Sequence, residues 1–395
     1  MLVGRKQPFR MMSSTVQLCK FAGLWDEKNQ RKAPWQAVFI AFSLIFWYIL
    51  PSVAFIIRNE KNITFQLKPI LELFAMNVFT VRLLVHLLYR ETLQLCYHEM
   101  QHVFSDFEDN PDEDVRSILK HLLKSADWLT KYYTCGVMLQ ASIYGWVPAI
   151  LTIIRYMISA DPPELPSTVL EADFIFFDHK SNFWMWLPSM ITSLIVQYMM
   201  LTAMSANECL LWNLLHHVSC AFKIIGMEIS KLNQWKDPVQ WRRKFAVIVE
   251  NHEVCYRSVR HLENALRPVM AILYCSCVLQ TCYIMFVVSM VKDYILIGSM
   301  VFVLNYTIFM IFSFSMLGTE LMDASASVSN AIYNTCWYER SDVERRSLLF
   351  MQMRSQREAT ISAAKFFYIT RGTFAGAMKS AFSYFTIMQQ FYGEN

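Results

Sequence analysis

PVMAILYCSCVLQTCYIMFVVSMVKDYILIGSMVFVLNYTIFMIFSFSMLGT, residues 268–319, carries only two charges, the adjacent pair Lys292 and Asp293. The uncharged runs on either side, 268–291 and 294–319, each exceed the ~20 apolar residues that a helix needs to cross roughly 30 Å of hydrocarbon. Inside lipid a backbone must satisfy its own hydrogen bonds, and a helix does so within one segment. The stretch therefore predicts two membrane helices joined by a tight turn at Lys292-Asp293.

Working outward, three more uncharged runs are long enough to cross: 35–57, 132–154 and 181–207. Two weaker runs complete the set. Run 69–89 contains Glu72, Arg82 and His86; run 361–392 contains Lys365, Arg371 and Lys379. Ionisable groups at membrane depth are costly and face a bundle interior or a wet cavity, so both are counted. The expectation is an all-α polytopic membrane protein with seven transmembrane helices. Composition agrees: 55% of residues are hydrophobic and 17% charged, against about 45–50% and 25% for soluble domains. No short apolar core with a small-residue cleavage site precedes the first run. A net charge of +4 gives no reason to expect a nucleic-acid partner.

Lys and Arg set the orientation, because cytoplasmic segments retain them. With a cytoplasmic amino terminus, the inner segments 1–34, 90–131, 208–267 and 320–360 hold 26 of them, and the outer segments hold 6. The carboxyl terminus is then extracellular. The sequon Asn62-Ile63-Thr64 falls in the first outer loop, making Asn62 a candidate glycosylation site. All ten cysteines fall in inner or membrane segments, so no outer disulfide is expected. This is the reverse of the G-protein-coupled receptor topology. No Asp-Arg-Tyr follows the third span and no Asn-Pro-x-x-Tyr lies in the seventh.

The end of the chain carries a resemblance. Thr373-Phe374, Lys379-Ser380 and Ser383-Tyr384-Phe385-Thr386 resemble the carboxyl-terminal signature of insect odorant receptors. Upstream, Asn330-Ala331-Ile332-Tyr333, Trp337-Tyr338, Arg345-Arg346-Ser347-Leu348-Leu349 and Met351 resemble the segment before that family's last helix. Tyr384 followed by Gln390-Phe391 also fits the Tyr-x5-Gln-Phe pattern of the related gustatory receptor channels, which stand as the alternative.

The resemblance implies the odorant-binding subunit of a heteromeric ligand-gated, non-selective cation channel. Its partner would be the odorant receptor co-receptor, in a heterotetramer around one pore in the plasma membrane of olfactory sensory neurons. The ligand would be a small volatile odorant, bound in the outer half of the bundle (35–207 and 268–319) among helices two, three, four and six, with the fifth nearby. Candidate pocket residues are Phe74, Asn77, Met138, Ser142, Trp146, Met190, Asn305 and Tyr306. Segments 208–267 and 320–360 would anchor subunits to one another, and 361–395 would line the pore. On that last helix Lys379, Ser383, Ile387 and Gln390/Phe391 share one face. An apolar ring can close a pore by dewetting, and polar neighbours can meet hydrated ions. Alignment on Tyr384 puts Ile387 and Phe391 at the gate and Gln390 at the outer constriction.

Other classes find little support. A transporter is expected to show internal repeats and paired broken helices, and none is evident. His98-Glu99-Met100-Gln101-His102 matches a zinc-protease motif, but no convincing third ligand follows, His121 being only a candidate. We read it as a solvated helix face and expect no enzyme activity, metal or cofactor.

Overall fold

The structure, a computed structural model, describes residues 10–25, 35–59, 63–108, 112–158, 165, 169–170, 172–174, 182–290 and 294–393. The turn at Lys292-Asp293 and the sequon residue Asn62 lie outside them. A short helix α1 (Ser13–Phe21) precedes the first span, which runs as α2 (Trp35–Leu44), a π-helical turn (Ile45–Ile49) and α3 (Leu50–Arg58). Pro51 explains the wide turn, since it offers no N–H to the carbonyl four residues back. Then follow α4 (Ile63–Leu88), α5 (Arg90–Glu108), α6 (Glu113–Ile158), α7 (Phe183–Lys231), α8 (Pro238–Met290) and α9 (Tyr294–Tyr333). Helix α10 (Asp342–Ser355), the strand pair β1 (Ser362–Ala363) and β2 (Phe367–Tyr368), and α11 (Arg371–Gly393) complete the chain. Among the described residues, six helices are long and apolar enough to cross a membrane, those of α2/α3, α4, α6, α7, α8 and α9. Helix α11, with Arg371 and Lys379, is the more polar seventh.

Several helices outrun any bilayer. At about 1.5 Å per residue, the 49 residues of α7 extend for about 74 Å. Segments 208–267 and 320–360 are thus continuations of α7, α8 and α9, turned by single 3₁₀ turns at Leu232–Gln234 and Trp337–Glu339. Helix α7 is the central post, with most residues from Ala203 to Ile229 buried. Around it, Thr15 of α1 meets Thr130 of α6 at 2.7 Å, and Asn213 Nδ2 donates to Thr15 Oγ1 at 2.9 Å. Glu99 of α5 pairs with Arg257 of α8 at 2.7 Å. Glu99 is therefore spent on helix packing; His98 lies against Trp25 and Tyr97, and His102 pairs with Asp106. At the far end Lys231 bonds to Asp112 and holds that carboxyl below its usual range.

The last segment differs from a single helix over 361–395. Residues 361–370 form a hairpin, with Ser362 opposite Tyr368 and Ala363 opposite Phe367. Its turn places Ala364 and Lys365 at φ 47° and 65°, the double left-handed pair of a tight hairpin turn. The hairpin is pinned to α8: Ala364 N–H donates to the Arg267 carbonyl (3.2 Å) and Ser362 Oγ to Glu263 (2.8 Å). A Cβ on Gly318 of α9 would come within 2.3 Å of the Ile369 carbonyl oxygen, so glycine is what lets the hairpin pass. Helix α11 then starts at Arg371, whose N–H donates to Thr319 Oγ1 at 3.0 Å.

Candidate functional site

The ionisable residues of α4 point inward, as their cost in lipid requires. Glu72, Arg82 and His86 are all buried. Arg82 Nη1 stands 3.0 Å from Glu208 Oε1 of α7. Both oxygens of Glu208 are also taken, by the hydroxyls of Tyr306 of α9 and Tyr133 of α6. One carboxylate thus joins four helices, and its three partners offset part of the cost of burying the charge. One turn on, His86 Nδ1 and Asn207 Oδ1 lie 2.7 Å apart.

Directly above this cluster, toward the 158–182 connection, the helices separate around a cavity of about 110 Å³. Helix α4 supplies Glu72, Ala75, Met76 and Phe79; α6 supplies Val137, Gln140, Ala141 and Tyr144. Gln197, Met200 and Leu201 come from α7, and Phe302, Val303 and Tyr306 from α9. Val169 and Leu170 of the connection cover it, and Tyr48 closes one side. The Phe79 and Tyr306 rings meet edge to face, 5.7 Å between centroids. Glu72 accepts from the Tyr144 hydroxyl, and Lys68 at 3.7 Å supplies its counter-charge. Gln197 is buried with its Oε1 unpartnered among the described residues. A buried polar atom without a partner is uncommon and asks for one.

Of the eight pocket candidates only Tyr306 stands on this wall. Phe74 and Asn77 lie one step around α4, and Asn77 is exposed and bonded back to Leu73 O. Met138 and Ser142 are half-buried neighbours of the lining residues, Ser142 bonding to Tyr198 at 2.6 Å. Trp146 is 43% exposed. Met190 is buried in a separate apolar cluster with Trp186 and Leu194. Asn305 is exposed in a shallower hollow beside Tyr132 and Phe309. The residues missed are Glu72, Met76, Phe79, Gln140, Tyr144 and Gln197. A signal existed: Glu72, Phe79, Arg82 and His86 fall on one helical stripe, and that stripe marks the inward face.

Helix α11 is two-sided. Ala381 is buried and the Phe374 ring meets Phe312 of α9 at 5.5 Å. The opposite face, with Gly376, Lys379, Ser383, Ile387 and Gln390, is exposed. Phe391 is helical, and its side chain lies outside the described residues.

With the fold in hand, the chain can be set beside known proteins. The sequence model of the 7tm odorant receptor family matches residues 62–382. Odorant receptor 9a of Drosophila melanogaster is 23% identical over 400 residues, covering 98% of each chain. The odorant receptor coreceptor of Aedes aegypti is 31% identical over 87 residues, 22% of this chain and 18% of that protein. The structure of the insect olfactory receptor OR5 from Machilis hrabei, in complex with eugenol, aligns over 96% of this chain and 97% of its own. Its TM-score is 0.74 and its sequence identity 18%, a likeness of fold.

Proposed function

The chain belongs to the 7tm odorant receptor family, and from that premise we propose that it is the odorant-binding subunit of a ligand-gated, non-selective cation channel. It shares one pore with the odorant receptor co-receptor in a heterotetramer, with its amino terminus in the cytoplasm, in the plasma membrane of olfactory sensory neurons. The observation that carries the reading is the cavity among α4, α6, α7 and α9 and its connection to α11. Phe302, Val303 and Tyr306 touch the cavity. The same helix, α9, holds Phe312 against Phe374 and Thr319 against the first N–H of α11. A ligand that shifts α9 therefore moves the helix whose polar, unpartnered face lines the pore through Ser383, Ile387, Gln390 and Phe391. The exposed apolar side chains of α10, Val343, Leu349, Phe350 and Met353, supply an anchoring surface between subunits.

The cavity also selects the ligand. A dry cavity of ~150 Å³ holds benzene, so 110 Å³ suits a molecule of roughly that size or smaller. Burying each CH₂ is worth about 0.8 kcal/mol; five give roughly 4 kcal/mol, the scale of a millimolar Kd. A hydrogen bond to the Gln197 amide adds affinity and direction. The ligand is then a small, uncharged, largely apolar molecule bearing one hydroxyl, which donates to Gln197 Oε1. Whole-cell recording tests the proposal. Cells expressing the chain with the co-receptor should give cation currents to short-chain alcohols, and weaker ones to ketones and esters of the same shape. Those currents should survive blockade of G-protein signalling and vanish when this chain is omitted. Robust currents from this chain alone would count against the heteromer.

A further inference from the structure

His216 and Cys220 stand four residues apart on α7 and share one face of it. Across the seam, Glu320 of α9 meets them. His216 Nδ1 lies 3.1 Å from Glu320 Oε2, and His216 Nε2 lies 3.8 Å from Cys220 Sγ. One donor atom from each residue falls within 4.8 Å of the others. Cys220 is buried, and His216 and Glu320 are half-buried. The ammonium of Lys223, 2.7 Å from Glu320 Oε1, supplies a resident positive charge.

We propose that this cluster is a transition-metal site that takes one divalent ion of the zinc class. The ligands are one ring nitrogen of His216, the Cys220 thiolate and one carboxylate oxygen of Glu320. Zinc holds nitrogen, sulfur and oxygen at about 2.0–2.3 Å in a tetrahedron, which sets donors roughly 3.2–3.7 Å apart. With one His216 nitrogen, the Cys220 sulfur and one Glu320 oxygen all within 4.8 Å of one another, side-chain rotations of about 1 Å close the set on an ion. A mixed N, S, O set rejects calcium and magnesium, which require oxygen throughout. Three protein ligands leave the fourth position to water. On binding, the Cys220 thiol proton and any proton on the ligating His216 nitrogen pass to solvent. Glu320 exchanges the Lys223 ammonium for the ion. Thr319, next to Glu320, accepts the first N–H of α11, so the ion would clamp α7 to the turn of α9 that seats α11. None of this depends on the odorant reading.

The test uses the full-length chain purified in detergent under reducing conditions and titrated with Co²⁺. Tetrahedral ligand-field bands and a thiolate-to-cobalt charge-transfer band should grow to one equivalent, and Zn²⁺ should bleach them. Zn²⁺ should also raise the melting temperature, since a ligand of the native state stabilises it. Cys220→Ser should lose the charge-transfer band, and Glu320→Gln should weaken binding by roughly tenfold or more. Lys223→Met keeps all three ligands and removes the competing charge, so it should bind roughly tenfold tighter. Bands that persist unchanged in Cys220→Ser would overturn the assignment by placing the ion on another thiol. So would the absence of bands in both the parent chain and Lys223→Met, which would leave an ion-paired seam and nothing more.

Discussion

Gln197 and Glu208 sit on α7, eleven residues apart, and show what a buried polar group does when it lacks or has partners. Gln197 Oε1 has no partner among the described residues and can accept a hydrogen bond from a ligand hydroxyl. Replacing it with leucine keeps the volume and removes the hydrogen bond, worth about 1 kcal/mol when buried. We expect potency for alcohols to fall roughly five- to tenfold in Gln197→Leu. Potency for hydrocarbons of the same shape should hold or rise. Dose–response curves with the co-receptor present decide this; an equal loss for both series would mean damaged packing. Glu208 is the opposite case. Glu208→Gln leaves the Arg82 guanidinium buried without a counter-charge, a change that costs about 3–5 kcal/mol. Surface biotinylation should show little Glu208→Gln protein at the membrane. Replacing both partners together, Arg82→Met with Glu208→Leu, should restore a good part of it, because apolar pairs of similar volume are tolerated where half of an ion pair is not.

At the scale of elements, α11 and its hairpin decide the outcome. Ile387 is 48% exposed on the face turned away from its own subunit. A small polar residue in an apolar constriction eases wetting, so Ile387→Ser should raise resting current. Gln390→Glu should change cation permeability ratios or block, since a carboxylate there meets the passing ion. Ala381, buried on the opposite face, is the control: Ala381→Gly should leave permeation unaltered at matched surface level. Normal gating and permeation in both pore-face variants would reduce the stripe to packing. The hairpin makes a separate prediction. Gly318→Ala drives a methyl against the Ile369 carbonyl, and backbone offers little room to yield. That variant should lose surface protein, whereas Gly376→Ala, with open space around it, should not.

For the whole molecule the claim to test is orientation. The 26 to 6 division of Lys and Arg is the argument for an inner amino terminus and an outer carboxyl terminus. Antibody against an amino-terminal tag should bind only after permeabilisation, and antibody against a carboxyl-terminal tag should bind on intact cells. An amino-terminal tag labelled on intact cells would reverse every side assigned here, the placement of the cavity nearer the outer face included.

The sequence alone places five spans, those within α2/α3, α6, α7, α8 and α9, because about twenty uncharged residues in a row admit few structures besides a membrane helix. It also marked the inward face of α4, since Glu72, Arg82 and His86 could not face lipid. The residues 373–386 were enough to suggest the family. What only the tertiary structure decided was rotation and continuity. Phe74 and Asn77 lie one step around α4 from Met76 and Phe79, which the packing of the neighbouring helices turns onto the cavity. The extensions of α7 and α9 read as connecting segments until their burial against one another made them one post. The break at 361–370 was hidden because Ala364 and Lys365 hold a left-handed turn that glycine or asparagine would normally announce. That turn exists because α8 offers the Arg267 carbonyl and Gly318 leaves room for the hairpin, contacts made by residues distant in the chain.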